Sequence, residues 1–446
     1  MKKIVYLLLL PGLQQVYAQD AVWTLQSAIR YAQEHNPGLK TAALDARSSK
    51  MAYAYSTYNR LPSLSLNTNY GGNYGRSINP TTNAFEQTRF SSVGLSAGAN
   101  VLLFGWFEKK YAIDKSRLQY QSAGLQVAQQ KEELVLTVAT AYLRVLLSRE
   151  QVATMRQQIA ISQAGKDRII KLMEAGKSNV LERSQAATQL SADSSAYFQS
   201  LLNQEQAMLD LKVILNLDPG LEMEIGELAA ETAGFIEQPV AEEIYQVALL
   251  HMPEIRNHFL QTKLAQKEIA LSKTNLYPKL SLYVSSGTNY SSSFYEMLPN
   301  GGAQLMSFGR QLRNNRAQSV SVGLSVPLFN NLSTRQAIRS AQLALEKVAM
   351  EQEASRLKLK QAIYKAVIDY ELGRQKYLAA ENALSHAGLA FKAAEIRFAG
   401  GFINHFEYLT EQNKLLKIRN EVTALKYEFY FKKLVIDYYK GAFNTD

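Results

Sequence analysis

The chain is laid out on a frame of prolines and glycines that occurs twice. Pro37 is followed by Pro62 at the same interval as Pro253 by Pro278 (62 − 37 = 278 − 253). Phe104 precedes Gly176 at the same interval as Phe329 precedes Gly401 (176 − 104 = 401 − 329). Two independent spacings kept through unlike sequence predict one fold made of two similar halves, rather than unrelated domains in a row. No proline interrupts the stretch from Phe104 to Gly176. As a helix it is a rod of about 108 Å at about 1.5 Å of rise per residue. Few architectures have a use for such a rod.

The rods carry a coiled-coil seam. Leu134, Ala141, Ser148 and Met155 recur every seven residues, and Val138, Val145, Val152 and Ile159 repeat that step four residues on. Shifting these positions by the repeat offset (401 − 176) lands on Leu359, Ala366, Gly373 and Ala380, then Ile363, Tyr370, Tyr377 and Leu384. The phase of this a/d seam survives the duplication. Small residues at several of these positions let helices approach closely. Residues 38–60 and 179–215, and their counterparts 254–276 and 404–440, read as shorter helices. Stacked end to end, each pair nearly matches a long rod.

Four segments alternate with period two, as strands with two unlike faces do. Leu64, Leu66, Thr68 and Tyr70 interleave with Ser and Asn; Val93, Leu95, Ala97, Ala99 and Val101 interleave with Ser, Gly and Asn. Leu280, Leu282 and Val284 lead the third, and Val320, Val322, Leu324, Val326 and Leu328 form the fourth. They predict two hairpins, with strands at about 63–72 and 91–103, then 279–290 and 317–329. The long helices follow at about 105–174 and 332–398. Phe104, Trp106, Phe107, Tyr277 and Phe329 fall where strands meet helices, the level of an aromatic membrane belt. A soluble sandwich shows the same alternation, with these rings as ordinary core.

Residues 1–18 read as a signal peptide. Lys2 and Lys3 precede an apolar run, and cleavage is expected after Ala18. The chain has no cysteine, which predicts no lipid anchor, no disulfide and no thiolate metal site. After the signal no apolar run reaches the roughly 20 residues of a spanning helix, a criterion that says nothing about a β-barrel. Net charge is +10, but the charges are spread along helical faces, so no nucleic-acid partner is expected. The five histidines have no metal spacing, and neither a phosphate loop nor a nucleophile elbow occurs. No enzyme activity, cofactor or metal is expected. The expected division is 19–225 as the first repeat, 226–240 as a linker and 241–446 as the second repeat.

Four strands cannot close a barrel, and open edges are not tolerated in lipid. A membrane reading therefore needs several copies, and three would supply twelve strands and twelve helical columns. The rival reading is a structural trimeric coiled-coil protein of the surface or envelope, without transport.

Trp23-Thr24-Leu25 with Ala28, Asn36-Pro37, Leu61-Pro62-Ser63-Leu64, Leu103-Phe104-Gly105, Pro327-Leu328-Phe329 and Arg397-Phe398-Ala399-Gly400-Gly401 occur in order across nearly the whole mature chain. In this order the chain resembles the TolC family of outer-membrane efflux proteins. The resemblance implies a mainly α chain with a membrane β-barrel, a duplicated long-helix/β-hairpin repeat. Its homotrimer forms a 12-strand barrel continuous with a 12-column α-helical barrel. It also implies a passive exit duct in the Gram-negative outer membrane and its lipid, reaching into the periplasm. Such a duct docks on a periplasmic adaptor (membrane fusion) protein and an inner-membrane pump, in tripartite efflux or type I secretion.

The turns at Gly176 and Gly401 lie at the far ends of the rods. Asn179 and Asn404 follow three residues on, and Glu182 and Glu407 six residues on. Gly relaxes the turn, Asn caps the next helix, and Glu suits its positive end. The resemblance adds a role at the closed periplasmic aperture. There the family's second turn carries acidic residues at the sixth and ninth positions, which here are Glu407 and Thr410. A basic position in the family is Ile403 here, and Phe398 stands where a tyrosine often sits.

Overall fold

The structure, a computed structural model, describes residues 22–78, 83–228, 239–299 and 301–442. The predicted signal peptide and linker residues 229–238 lie outside the described residues. In chain order the elements are α1 (Leu25–His35), α2 (Pro37–Tyr58), β1 (Ser63–Ile78), β2 (Phe85–Phe104), α3 (Glu108–Glu174) and α4 (Val180–Leu215). There follow α5 (Ala241–His251), α6 (Pro253–Thr274), β3 (Lys279–Ser291), β4 (Tyr295–Met297), β5 (Ala303–Leu305), α7 (Phe308–Asn314), β6 (Ala317–Ser325), α8 (Ser333–Ala399) and α9 (His405–Tyr439). The duplication is plain in the lengths. α3 and α8 both have 67 residues, α2 and α6 both 22, and α1 and α5 both 11.

Two compact units result. One comprises Thr41–Gln129 and Met252–Lys358; the other comprises Met1–Lys40, Gln130–His251 and Leu359–Asp446.

The first of these carries an antiparallel sheet of order β1-β2-β3-β6. Its register brings every apolar set onto one face: Leu66 lies opposite Ala97, and Leu282 pairs with Val101 on one side and Val322 on the other. The other face is mostly Ser, Asn and Gly, with Phe90, Leu102 and Tyr283 among them and Ser285 and Ser319 sharing a 2.7 Å hydrogen bond. No second sheet covers the apolar face among the described residues. Leu64 is 82% exposed and Val320 73%. That excludes the core of a soluble sandwich as the reason for the alternation.

Two strand boundaries differ from the sequence reading. β1 and β2 pair on to Ile78 and Phe85, past the expected ends near 72 and 91. Main-chain hydrogen bonds carry the ladder where hydrophobic alternation has faded. β6 stops at Ser325 rather than 329, because Pro327 has no N–H to donate. The long second loop holds the β4–β5 ribbon and α7, which is seated on β3. The fully buried Gln311 side chain donates to the Ser291 and Met306 carbonyls (3.0 and 2.8 Å) and accepts from the Ser291 amide (2.9 Å).

The other unit holds the seam. Val138, Ala141, Val145, Ser148, Val152 and Met155 of α3 are buried, and so are Leu359, Ile363, Tyr370 and Gly373 of α8. The α8 seam runs on as Ala387, Phe391, Ala394 and Phe398, all buried or half-buried. A core of Ala28, Ala32, Val138, Tyr142, Leu146, Leu211, Leu215 and Ile225 gathers α1, α3 and α4. Tyr142 ties it to the segment before α1, its hydroxyl lying 2.9 Å from the Trp23 carbonyl and 2.8 Å from that of Gly226. Burial pushes this phenol up to about 12, against the opposing pull of Arg149. Thr24 caps α1 in a reciprocal box with Ser27. Among the described residues no helix is long and apolar enough to cross a membrane.

Candidate functional site

The unit with the seam ends in two helical turns, between α3 and α4 and between α8 and α9. Their backbones match. Gly176 has φ +72° and Gly401 +76°, the left-handed region that glycine reaches without penalty. Each turn closes through two main-chain bonds. Gly176 N donates to Met173 O and Lys177 N to Leu172 O; Gly401 N donates to Phe398 O and Phe402 N to Arg397 O. These satisfy carbonyls that the helix end leaves open.

The caps match as well. The Asn179 side chain accepts from the Glu182 amide at 3.0 Å, and that of Asn404 from the Glu407 amide at 2.9 Å. Each Glu sits in the first turn of its helix, where the helix end is positive. Their carboxylates differ in partner. Glu182 accepts from the Ser178 hydroxyl at 2.6 Å, while Glu407 accepts from the Asn404 amide group at 3.0 Å. Glu407 and Thr410 are exposed, and Thr410 spends its hydroxyl on the Phe406 carbonyl.

The second turn has an aromatic seat that the first lacks. Phe398 stacks on Tyr408, with centroids 4.9 Å apart and planes 20° apart, and lies 5.7 Å from the His405 ring. Phe391 reaches Tyr408 from further back along α8 at 5.6 Å. From α3 the Arg168 guanidinium covers Phe398 at 4.8 Å, a cation–π contact joining the two helical hairpins. Gln189 and Asn413 join them again, at 3.3 Å. His405 is 1% exposed, and neither ring nitrogen has a hydrogen-bond partner among the described residues. Burial holds its pKa below the ordinary value, and the Glu182 carboxylate opposes that shift. Burial raises the Tyr408 phenol, with Glu395 adding to the shift and Arg168 opposing it.

The structure thus brings Phe398 into a cluster with His405, Tyr408 and Arg168, and Glu182 acts on His405 through its charge. Glu407 and Thr410 stay outside the cluster. Sequence reasoning passed over His405, Tyr408 and Arg168. His405 and Tyr408 stand three apart on α9, on one helix face, and this was a readable signal. Arg168 left none, because it and Phe398 lie in different halves of the chain.

The aromatic residues at the strand–helix corners form the second group. Trp106 packs on Tyr277 at 4.6 Å, and Phe104 lies 5.4 Å from Trp106 and 6.4 Å from Phe107. Phe329 stands apart from this cluster, 77% exposed. The corner itself is duplicated. Trp106 and Phe107 have φ of 52° and 65°, and their counterparts in the second half, Asn331 and Leu332, have 53° and 60°. Left-handed backbone at bulky residues costs roughly 1–2 kcal/mol each, so this tight corner is held by its surroundings. Among the described residues no group of three or more His, Asp or Glu is placed to hold a metal ion.

Comparisons with known proteins agree with this geometry. The family described as outer membrane efflux protein matches residues 28–217 and 244–430. The alkaline protease secretion protein AprF of Pseudomonas aeruginosa is 22% identical over 318 residues, 70% of this chain. The match spans 62% of AprF, less than two thirds of its length. Among solved structures, the Campylobacter jejuni CmeC outer membrane channel superimposes with a TM-score of 0.80 at 15% identity, over 95% of this chain and 87% of CmeC. The outer membrane protein VceC of Vibrio cholerae gives 0.78 at 14% identity, over 94% and 96%.

Proposed function

The chain belongs to the outer membrane efflux protein family, and on that premise we propose that it is the passive outer-membrane exit duct of a tripartite efflux or type I secretion system. The observation that carries the reading is the sheet. Its four strands leave β1 and β6 with no strand neighbour on their outer edges among the described residues, while one face is apolar and exposed. Lipid does not tolerate open edges, so the barrel closes between copies. Three copies give twelve strands.

The helices support the same assembly. Leu343, Met350 and Leu357 of α8 recur every seven residues and are exposed, as are Leu44, Met51 and Tyr58 of α2. A heptad stripe left open to water is a coiled-coil seam without its partner helix, and a second copy supplies that helix. In the homotrimer the repeats 19–225 and 241–446, joined by the linker 226–240, contribute equivalent columns. The strands cross the outer membrane. Phe104, Trp106, Phe107, Tyr277 and Phe329 mark its periplasmic interface, and the long helices run into the periplasm.

The two turns then ring the periplasmic aperture. Glu407 lines it as a three-fold acidic ring that draws cations, with Thr410 beside it. Phe398, Gly401 and Asn404 shape the inner turn, and Gly176, Asn179 and Glu182 the outer one. A periplasmic adaptor protein docks there, and an inner-membrane pump drives transport and selects the cargo. AprF is named for protease secretion and CmeC as a channel; a duct of this form suits either kind of cargo. The test is single-channel current from the purified full-length protein in planar bilayers, together with crosslinking to count subunits. Steady conductance from a trimer is expected, with cation preference reduced by Glu407→Gln. A protein that forms no channel, or crosslinks only as a monomer or dimer, breaks the duct reading. Unchanged cation preference in the variant breaks the Glu407 role alone.

A further inference from the structure

The apolar face of the β1–β2 hairpin ends in a pair of arginines. Tyr74 lies opposite Arg89, Arg76 opposite Gln87, and Ile78 opposite Phe85. With a side-chain period of two, this register puts Tyr74, Arg76, Phe85 and Arg89 on the same face as Leu64, Leu66, Tyr70, Val93 and Leu95. The strand from Leu64 to Tyr74 is about 34 Å long, at about 3.4 Å per residue. At a tilt of about 45° the rise is about 24 Å, the height of the apolar band of a membrane barrel. Tyr74, Arg76 and Arg89 therefore stand where hydrocarbon gives way to headgroups, at the end of the sheet away from the helices.

Both arginines are built into the surface. The Arg89 guanidinium lies over the Tyr74 ring at 5.0 Å, and that of Arg76 over the Phe85 ring at 5.3 Å. All four side chains are exposed. Among the described residues no ion pair joins either guanidinium to a carboxylate. Glu86 is on the opposite face of the hairpin, across from Ser77. Arg310 in the second hairpin's loop shows the contrast, since it is already bound to both oxygens of Glu296 (2.6 and 2.8 Å). A guanidinium beside a ring keeps its charge and its planar fork of N–H donors, which fits phosphate oxygens. Arg76 and Arg89 are diagonal cross-strand neighbours, about 7–8 Å apart at the backbone, so two forks address one headgroup.

We propose that Arg76 and Arg89 form a binding site, on the lipid-facing side of the hairpin, for the phosphate of an anionic glycolipid in the outer leaflet. The acyl chains lie along Tyr70, Leu66 and Leu64 while the phosphate is held by the two guanidiniums. The continuity of charge with apolar surface selects a lipid over a free anion, which has no use for the apolar strip. The inference rests on the outer-membrane reading above.

The test is native mass spectrometry of the full-length protein in neutral detergent. The probes are a bisphosphorylated glucosamine lipid, the same lipid dephosphorylated, and inorganic phosphate as competitor. Wild type is expected to retain the phosphorylated lipid. The Arg76→Gln/Arg89→Gln double variant is expected to lose affinity about tenfold or more, as two charge-assisted contacts are removed. The dephosphorylated lipid should bind wild type no better than the double variant binds the phosphorylated one, and millimolar phosphate should not displace the lipid. Equal retention by wild type and double variant overturns the site. So does equal binding of the dephosphorylated lipid, or full displacement by inorganic phosphate. If the double variant does not assemble, Tyr74→Leu and Phe85→Leu carry the test. They keep both charges and remove the rings, and unchanged affinity in both overturns the site. Wild-type conductance in a planar bilayer separates the two readings. Without it the duct reading fails; with it, a failed lipid assay removes this site alone.

Discussion

The turn between α3 and α4 and the turn between α8 and α9 share a backbone and differ in what it buries. Gly176 and Gly401 take the same left-handed conformation, and Asn179 and Asn404 make the same cap. At the first position after each Asn they diverge. Val180 is 71% exposed, while His405 is buried between Phe398 and Tyr408. Where the second turn has the Phe398–Tyr408 stack, the first has Met173 and Arg183 at the equivalent positions. Backbone conformation and side-chain packing are thus separable. The duplicated frame keeps the bend, and the side chains on it decide whether the tip is solvated or tied to its neighbour. Only the second turn receives a cation from the other hairpin among the described residues, Arg168 over Phe398.

The comparison breaks most visibly at the aromatic seat. Tyr408→Ala should cost about 3 kcal/mol, as truncation of a large buried ring does. Arg183→Ala, its exposed counterpart, should stay within about 0.5 kcal/mol. Chemical denaturation of the two variants measures both, and comparable losses would remove the asymmetry. The shared backbone is sharpened by Gly176→Val and Gly401→Val. Beyond the adjoining residues no atom lies within 4 Å of a Cβ added at either glycine, so both substitutions start from the same penalty of positive φ. Both should cost about 1–2 kcal/mol, and a clear inequality would show that the two bends are not equivalent.

Asn179→Ala and Asn404→Ala each remove one cap, at about 1 kcal/mol. Asn404 also donates to Glu407, whereas Glu182 keeps its Ser178 bond, so the second loss should be the larger. Amide hydrogen exchange in the first turns of α4 and α9 reads the difference. The smallest effect is a pH slope. The pKa of His405 is lower folded than unfolded, so below about 6.5 the unfolded state binds more protons. The stability held by neutral His405 is complete above that pH and is lost as pH falls through the folded value. His405→Phe should flatten the slope. Glu182→Gln, by removing the charge that favours protonated His405, should deepen the acid loss. A titration of unfolding midpoints showing no change of slope in either variant would contradict this account.

Much of the molecule was legible from local pattern. The heptads of Val138 and Ile363 became buried seams, and the alternation around Leu66 and Val322 became the apolar face of a sheet. The caps at Asn179 and Asn404 were readable too, because a cap involves residues three apart. The strand ends were less so. Pairing continued to Ile78 without alternation and stopped at Ser325 for want of a proline N–H. The left-handed corners at Trp106–Phe107 and Asn331–Leu332 had no composition signal, since only Asn331 is a residue type that tolerates that region.

By itself the sequence determined the periodic features: rod lengths, seam phase, two-faced strands, and the twofold repetition of all three. These follow from spacings of two to seven positions and from where proline and glycine interrupt them. Tertiary structure alone decided which equivalent positions became different. It buried His405 and left Val180 in water, set Arg168 on Phe398, and seated Gln311 on Ser291. The reason is physical. Helix and strand periods are local to the backbone, whereas burial and ring contacts depend on segments far apart in the chain, whose meeting no short-range spacing records.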